Sequence, residues 1–186
     1  MPVTRRTFLK VGAVSACVLL TFRALDREVF AGIDTQRETQ GSLDLKKISN
    51  KDAACIAALA GAVLKGALPD DPVARLIAIN EVVEAFDRTV AGLSPGVQNE
   101  VEELLSLLTF GLTRRFVAGV SKPWAEATEQ DVTNFLHSWR QSRFTLLQQG
   151  YQALARVIVA GWYGNPLSWG AIGYDGPPFG KELGLL

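Results

Sequence analysis

Residues 94–119 read SPGVQNEVEELLSLLTFGLTRRFVAG, from Ser94 to Gly119. Ser94-Pro95 is a helix-start signal, an N-cap residue followed by the one residue type that fits the first helical position without losing a hydrogen bond. Behind it Val101, Leu104, Leu105, Leu108, Leu112 and Phe116 recur at the spacing of one face of an α-helix. The stripe is wide enough to be central to a bundle, and the helix is expected to end near Gly119.

The flanking segments follow the same grammar. Ser49 stands three residues before Asp52, a capping-box pattern. It opens an Ala-rich helix to about Lys65, with Ile56, Leu59, Ala60 and Val63 on one face. Asp71-Pro72 starts a second helix, whose apolar stripe is Val73, Leu76, Ile77, Val83, Phe86 and Val90, with Glu81, Glu84 and Asp87 facing outward. After the break at Lys122-Pro123-Trp124, Thr128 and Asp131 form another capping box, and the helix behind it presents Val132, Phe135, Leu136 and Trp139. A last long segment carries Phe144, Leu147, Tyr151, Leu154 and Ile158. No run alternates with period two. The expected fold is all-α, a single-domain bundle of about five helices with short loops.

Outside the bundle, expected to span residues 49–160, the composition changes at both ends. Residues 32–48 are polar and without period, and read as a flexible lead-in. From Gly161 the tail to residue 186 is rich in glycine and proline, with four aromatics, Trp162, Tyr163, Trp169 and Tyr174, within 13 residues, and then Pro177. Glycine and proline oppose a long helix here, so an irregular, shape-specific segment is expected. Rigid aromatic area on such a backbone has two uses, as an anchor for a partner protein or as a cap on the bundle's own core. Both remain open from the sequence.

The N-terminal heptad Thr4-Arg5-Arg6-Thr7-Phe8-Leu9-Lys10 resembles a twin-arginine translocation signal. Its export-signal residues are Arg5, Arg6, Phe8 and Leu9. Such an address is read by the twin-arginine translocase, which moves folded proteins. The apolar run Val11 to Phe22 is shorter than the roughly 20 residues a spanning helix needs, so residues 1–31 read as a leader, with cleavage expected after Ala31. Val14-Ser15-Ala16-Cys17 also has the look of a lipoprotein box, but only about seven apolar residues precede it.

The leader holds five of the 19 basic and two of the 19 acidic residues, so the remainder carries 14 against 17, a net charge of −3. A mildly acidic body argues against nucleic acid as a partner. Of the two cysteines only Cys55 lies beyond the leader, so stability has to come from packing rather than disulfides.

The leader, the helical body and the run Trp162-Tyr163-Gly164-Asn165-Pro166 leading to Ile172-Gly173-Tyr174-Asp175-Gly176-Pro177-Pro178 together resemble the gluconate 2-dehydrogenase subunit 3 family. The gamma subunit of bacterial FAD-dependent glucose dehydrogenase is similar. The resemblance covers most of the chain, but its specific parts are the leader and the tail. It implies a periplasmic, non-catalytic small subunit that matures and escorts a flavoprotein lacking its own export signal. FAD would sit in that glucose-methanol-choline type partner, and a multihaem cytochrome c, with haem c, is a further subunit in such complexes. Read as interface anchors, Trp162, Tyr163, Trp169, Tyr174 and Pro177 are the residues expected to contact that partner.

The residue types agree with a chain that carries no chemistry of its own. There is no Gly-x-Gly-x-x-Gly between strand and helix for a dinucleotide, and no Cys-x-x-Cys-His for covalent haem. His137 is the only histidine and reads as a surface or flanking residue rather than a metal ligand. Glu81, Glu84, Glu102 and Glu103 lack the Glu-x-x-His partners of a di-iron bundle, so no catalytic, cofactor or metal residue is expected. Cys55 reads as an inert core thiol, with a disulfide to the flavoprotein as the sharper alternative. The competing function is a free-standing periplasmic helical protein that binds a small apolar ligand between its helices.

Overall fold

The computed structural model describes residues 43–176; the leader and Pro177 lie outside them. Among the described residues the chain is all-α, without strands. Five helices are long: α1 (Asn50–Val63), α2 (Pro72–Ala91), α3 (Pro95–Thr109), α4 (Glu129–Arg140) and α5 (Thr145–Tyr163), followed by the short α6 (Pro166–Ile172). Between α3 and α4 lie an α-turn, Gly111–Thr113, a π-helical turn, Arg114–Ala118, and a 3-10 turn, Trp124–Glu126.

The start signals act as their chemistry requires. Ser49 and Asp52 complete a reciprocal capping box on α1, and Thr128 and Asp131 do the same on α4. The Asp71 carboxylate accepts the Ala74 N–H at 2.8 Å, with Pro72 in the first turn of α2. Ser94 makes no side-chain cap. Gln98 secures that corner instead, its amide donating to the carbonyls of Ala91 and Leu93 at 3.2 and 2.9 Å.

The central element is α1 rather than the helix quoted first. It packs against α2, α3, α4, α5 and the 3-10 turn, and Cys55, Ile56, Leu59 and Ala60 are fully buried. An Ala-rich surface lets four helices approach one axis, which a Leu-rich helix would hold apart. The helix beginning at Ser94 ends at Thr109, ten residues short of Gly119. Phe110 is extended, and the hydroxyls of Thr109 and Thr113 take the carbonyls of Leu105 and Leu107 at 2.9 and 2.6 Å. Side-chain hydroxyls that satisfy carbonyls locally, together with the low helix propensity of Gly111, favour a break there. Leu112 and Phe116, expected on the buried stripe, are therefore exposed.

The stripe of α2 is corrected at its N-terminal end, whereas Val83, Phe86 and Val90 are buried as expected. Ala78, Val82, Val83, Phe86 and Val90 face the core, whereas Val73, Leu76 and Ile77 lie on an exposed first turn and a half. Asp87, expected to face outward, is buried, with 2% of its surface accessible. Its carboxylate accepts three consecutive backbone N–H groups, from Lys46 and Lys47 at 2.8 Å and from Ile48 at 2.9 Å. Residues 46–48 are thus tied to the bundle, not free as part of a flexible lead-in.

Aromatic donors close the core. Trp124 stacks edge-on against Phe135, and Phe135 against Trp139, at 5.5 and 4.8 Å between ring centroids. The Trp124 indole N–H donates to the Leu108 carbonyl at 2.7 Å, and that of Trp139 to Val117 at 3.2 Å. Leu108 belongs to the last turn of α3, where carbonyls lack intrahelical partners. Each Trp thereby fills core volume and satisfies a carbonyl the helix cannot.

Candidate partner-binding surface

The residues singled out in the tail are organised by the end of α5 and by α6. Helix α5 does not stop at residue 160. It runs through Gly161 to Tyr163 because Trp162 continues the Leu154 and Ile158 stripe by one more turn, and Trp162 is only 2% exposed. Gly161 is what permits the close approach to α2: a Cβ there would meet the Ala85 Cβ at 3.2 Å. Trp162 is thus part of the bundle's own core, which withdraws it from the residues expected to contact a partner.

The corner after α5 is built by Asn165. Its side-chain oxygen accepts the Leu167 N–H at 2.9 Å, capping α6, while its amide donates to the Glu81 carboxylate at 3.0 Å. Pro166 occupies the first turn, and the buried Ser168 donates to the Asn165 carbonyl at 2.8 Å. A groove of about 590 Å³ lies here between α2 and the α5–α6 corner, lined by Glu81, Arg88, Thr89, Gly161 and Asn165 among others. Ala85, Ala160 and Pro166 line it as well, and its exposed lining is more apolar than polar.

At the other end of α6, Gly173 adopts a left-handed conformation, φ 66°. The Tyr174 N–H reaches back to the Trp169 carbonyl at 3.0 Å and the Gly173 N–H to Gly170 at 3.4 Å. This is the paired bonding of a Schellman helix end, in which an apolar contact joins the same two outer residues. Trp169 and Tyr174 supply it, edge to face with centroids 5.2 Å apart. The Trp169 indole N–H also donates to the Tyr163 carbonyl at 3.1 Å. Three of the five tail residues named from the sequence are therefore brought together. Tyr163 and Tyr174 are exposed, Trp169 is half-buried between them, and Leu167 and Ile172 add exposed aliphatic area. The short helix α6 stands where an irregular segment is expected from the glycine and proline content. Asn165-Pro166, an N-cap followed by proline, and Gly173 after Ile172 were its signals.

Elsewhere the titratable groups are placed as follows. Cys55 is a free thiol with no accessible surface. Burial pushes its pKa well up and the Asp52 carboxylate adds to this, while the Arg114 guanidinium opposes it. His137 lies exposed on α4. Among the described residues no cluster of three or more His, Cys, Asp or Glu side chains is placed to hold a metal ion. Among them, too, no helix is long and apolar enough to cross a membrane.

The chain matches no protein-family model, no curated protein and no solved structure.

Proposed function

We propose that this chain is a non-catalytic escort subunit, which accompanies a signal-less FAD-dependent dehydrogenase through the twin-arginine pathway and stays bound to it in the periplasm. The observation that carries the reading is the surface formed by Tyr163, Trp169 and Tyr174. These side chains belong to the segment with the specific family resemblance; the Trp169 and Tyr174 rings pack edge to face at a helix end, and the Trp169 indole is tied to the Tyr163 carbonyl. Pre-organised aromatic area costs little entropy to bury on association, the usual basis of an interface hot spot. The leader with Arg5 and Arg6 supplies the other half of the argument, because a pathway for folded cargo suits a partner that binds its flavin before export.

The test is export of the partner. Arg5→Lys combined with Arg6→Lys is expected to leave both this chain and the flavoprotein in the cytoplasm when the two are co-expressed. Fractionation followed by immunodetection of each subunit reads the result. A flavoprotein that reaches the periplasm normally beside the doubly substituted chain would end the escort reading.

A further inference from the structure

Two stretches of sequence lack any carboxylate: residues 104–125 and residues 132–174, the second running on into the C-terminal corner, contain neither Asp nor Glu. The Trp139 indole, hydrogen-bonded to the Val117 carbonyl at 3.2 Å, brings the turn after α3 beside the α4–α5 connection. Each of these places presents a bare apolar side chain. Phe116 is 81% exposed and Leu146 76%, more than any other large hydrophobic side chain among the described residues.

Arg115 is exposed next to Phe116 in the chain, and Arg140 and Arg143 are exposed on the second segment, whereas the Lys122 charge acts on the Asp131 carboxylate. The Arg143 guanidinium lies 5.0 Å from the centroid of the Phe144 ring, itself more than half exposed. From the neighbouring α1, Asp52 is the carboxylate that reaches this end, bonded by the Thr109 hydroxyl at 3.4 Å and already engaged in capping α1.

A protein interface depletes charge from its core and seats aromatic anchors in pockets. Here the two most exposed large apolar side chains follow arginines in the chain, Phe116 directly after Arg115 and Leu146 three residues after Arg143. That combination fits the headgroup boundary of a bilayer, where Phe and Leu enter the acyl region and cations meet phosphate groups. We propose that this end of the bundle docks on an anionic phospholipid membrane, through Phe116 and Leu146 with Arg115, Arg140 and Arg143. The surface is separate from the aromatic corner at Trp169, and the inference does not rest on the escort reading.

The experiment is co-sedimentation of the full chain with vesicles of phosphatidylcholine, alone or mixed with phosphatidylglycerol. The leader contributes an apolar run of its own, so the comparison is made between full-length variants. Phe116→Ser with Leu146→Ser, and separately Arg115→Gln with Arg140→Gln, are each expected to weaken partition onto the anionic vesicles by about tenfold or more, on the basis of about 1 kcal/mol per basic residue near such a surface. Added salt should weaken the wild type in the same direction. Unchanged partition in both variants would overturn the proposal. So would unchanged partition accompanied by loss of self-association, which would assign the face to a second copy, or by loss of flavoprotein co-purification, which would assign it to that partner. Should the Phe116/Leu146 variant lose its helical circular dichroism, the exposed arginine pair decides alone.

Discussion

The Asp87 carboxylate holds the backbone N–H of Ile48 at 2.9 Å, and through its second oxygen and the same first one it also holds Lys46 and Lys47. One side chain on α2 thus fixes the three residues where the chain enters the bundle. Burial alone would raise the Asp87 pKa. The three N–H groups and the Lys46 charge outweigh it, and the pKa lies below the ordinary carboxylate value. Charge-assisted hydrogen bonds in a buried setting are among the stronger single interactions in a domain.

Asp87→Asn is therefore expected to destabilise the bundle by about 2–4 kcal/mol, since an amide offers one acceptor and turns a donor toward the other N–H groups. The pH dependence follows from the direction of the shift. A folded-state pKa below the unfolded one gives stability that is present above about pH 4 and is lost as pH falls through the folded value. The melting temperature of the wild type should drop on acidification below that point, and the Asn variant should show a flatter profile. Parallel profiles for the two proteins would remove Asp87 from the account.

Four of the five long helices were legible because their starts are chemical, whereas α5, which begins after an uncapped Phe144, was legible from its periodicity alone. Ser49, Asp71, Ser94 and Thr128 each stand where an N-cap must, and periodicity supplied the rest. What stayed hidden depends on partners that only the folded chain provides. The break at Phe110 follows from two threonine hydroxyls capturing carbonyls against an uninterrupted Leu/Phe pattern. Asp87 reads as one more surface acid until three N–H groups from 40 residues away converge on it. Val73, Leu76 and Ile77 have the right spacing for burial, but nothing among the described residues covers that end of α2. In the tail the glycines counted as helix breakers, whereas Gly161 is a contact residue and Gly173 a terminator.

Glycine position gives a paired prediction of opposite sign. Gly61 in α1 has open space where a Cβ would go, so Gly61→Ala should stabilise by about 0.5–1 kcal/mol through helix propensity and a less flexible unfolded chain. Gly150 in α5 sits against Trp139, and an added Cβ would lie 2.8 Å from Cζ3 of its ring. That indole is buried and held by Val117, so it cannot step aside. Gly150→Ala should cost about 1–3 kcal/mol despite the same propensity gain. Thermal melts of the two variants, one rising and one falling, check the packing of α4 on α5 directly.

Cys55 offers a probe of whether the core opens. With no exposed surface and a pKa raised by burial, it has neither the access nor the thiolate character to react. In a Cys17→Ser background, which leaves Cys55 as the sole thiol, a chromogenic disulfide reagent at mildly alkaline pH should give no signal from the native protein and a full stoichiometric signal in denaturant. Rapid labelling of the folded chain would contradict the burial and would revive a disulfide to the partner.

The two roles left open for the tail aromatics separate cleanly on Trp162 and Tyr174. Trp162 is buried against the bundle, and truncating a core Trp to Ala typically costs about 3–5 kcal/mol. Trp162→Ala should therefore lower the melting temperature of the isolated chain by many degrees, and any loss of complex would follow from loss of fold. Tyr174 lies at the surface and packs on Trp169 at the end of a seven-residue helix. Removing its ring should barely move the melting temperature, yet it should weaken flavoprotein binding by about 2 kcal/mol or more if the corner is an interface hot spot. Both numbers have to be measured on both variants, the melt on the chain alone and the yield of complex after co-expression. A Tyr174→Ala protein that melts and co-purifies like wild type would reduce the Trp169–Tyr174 contact to a helix terminator, and the partner surface would have to be sought elsewhere on the bundle.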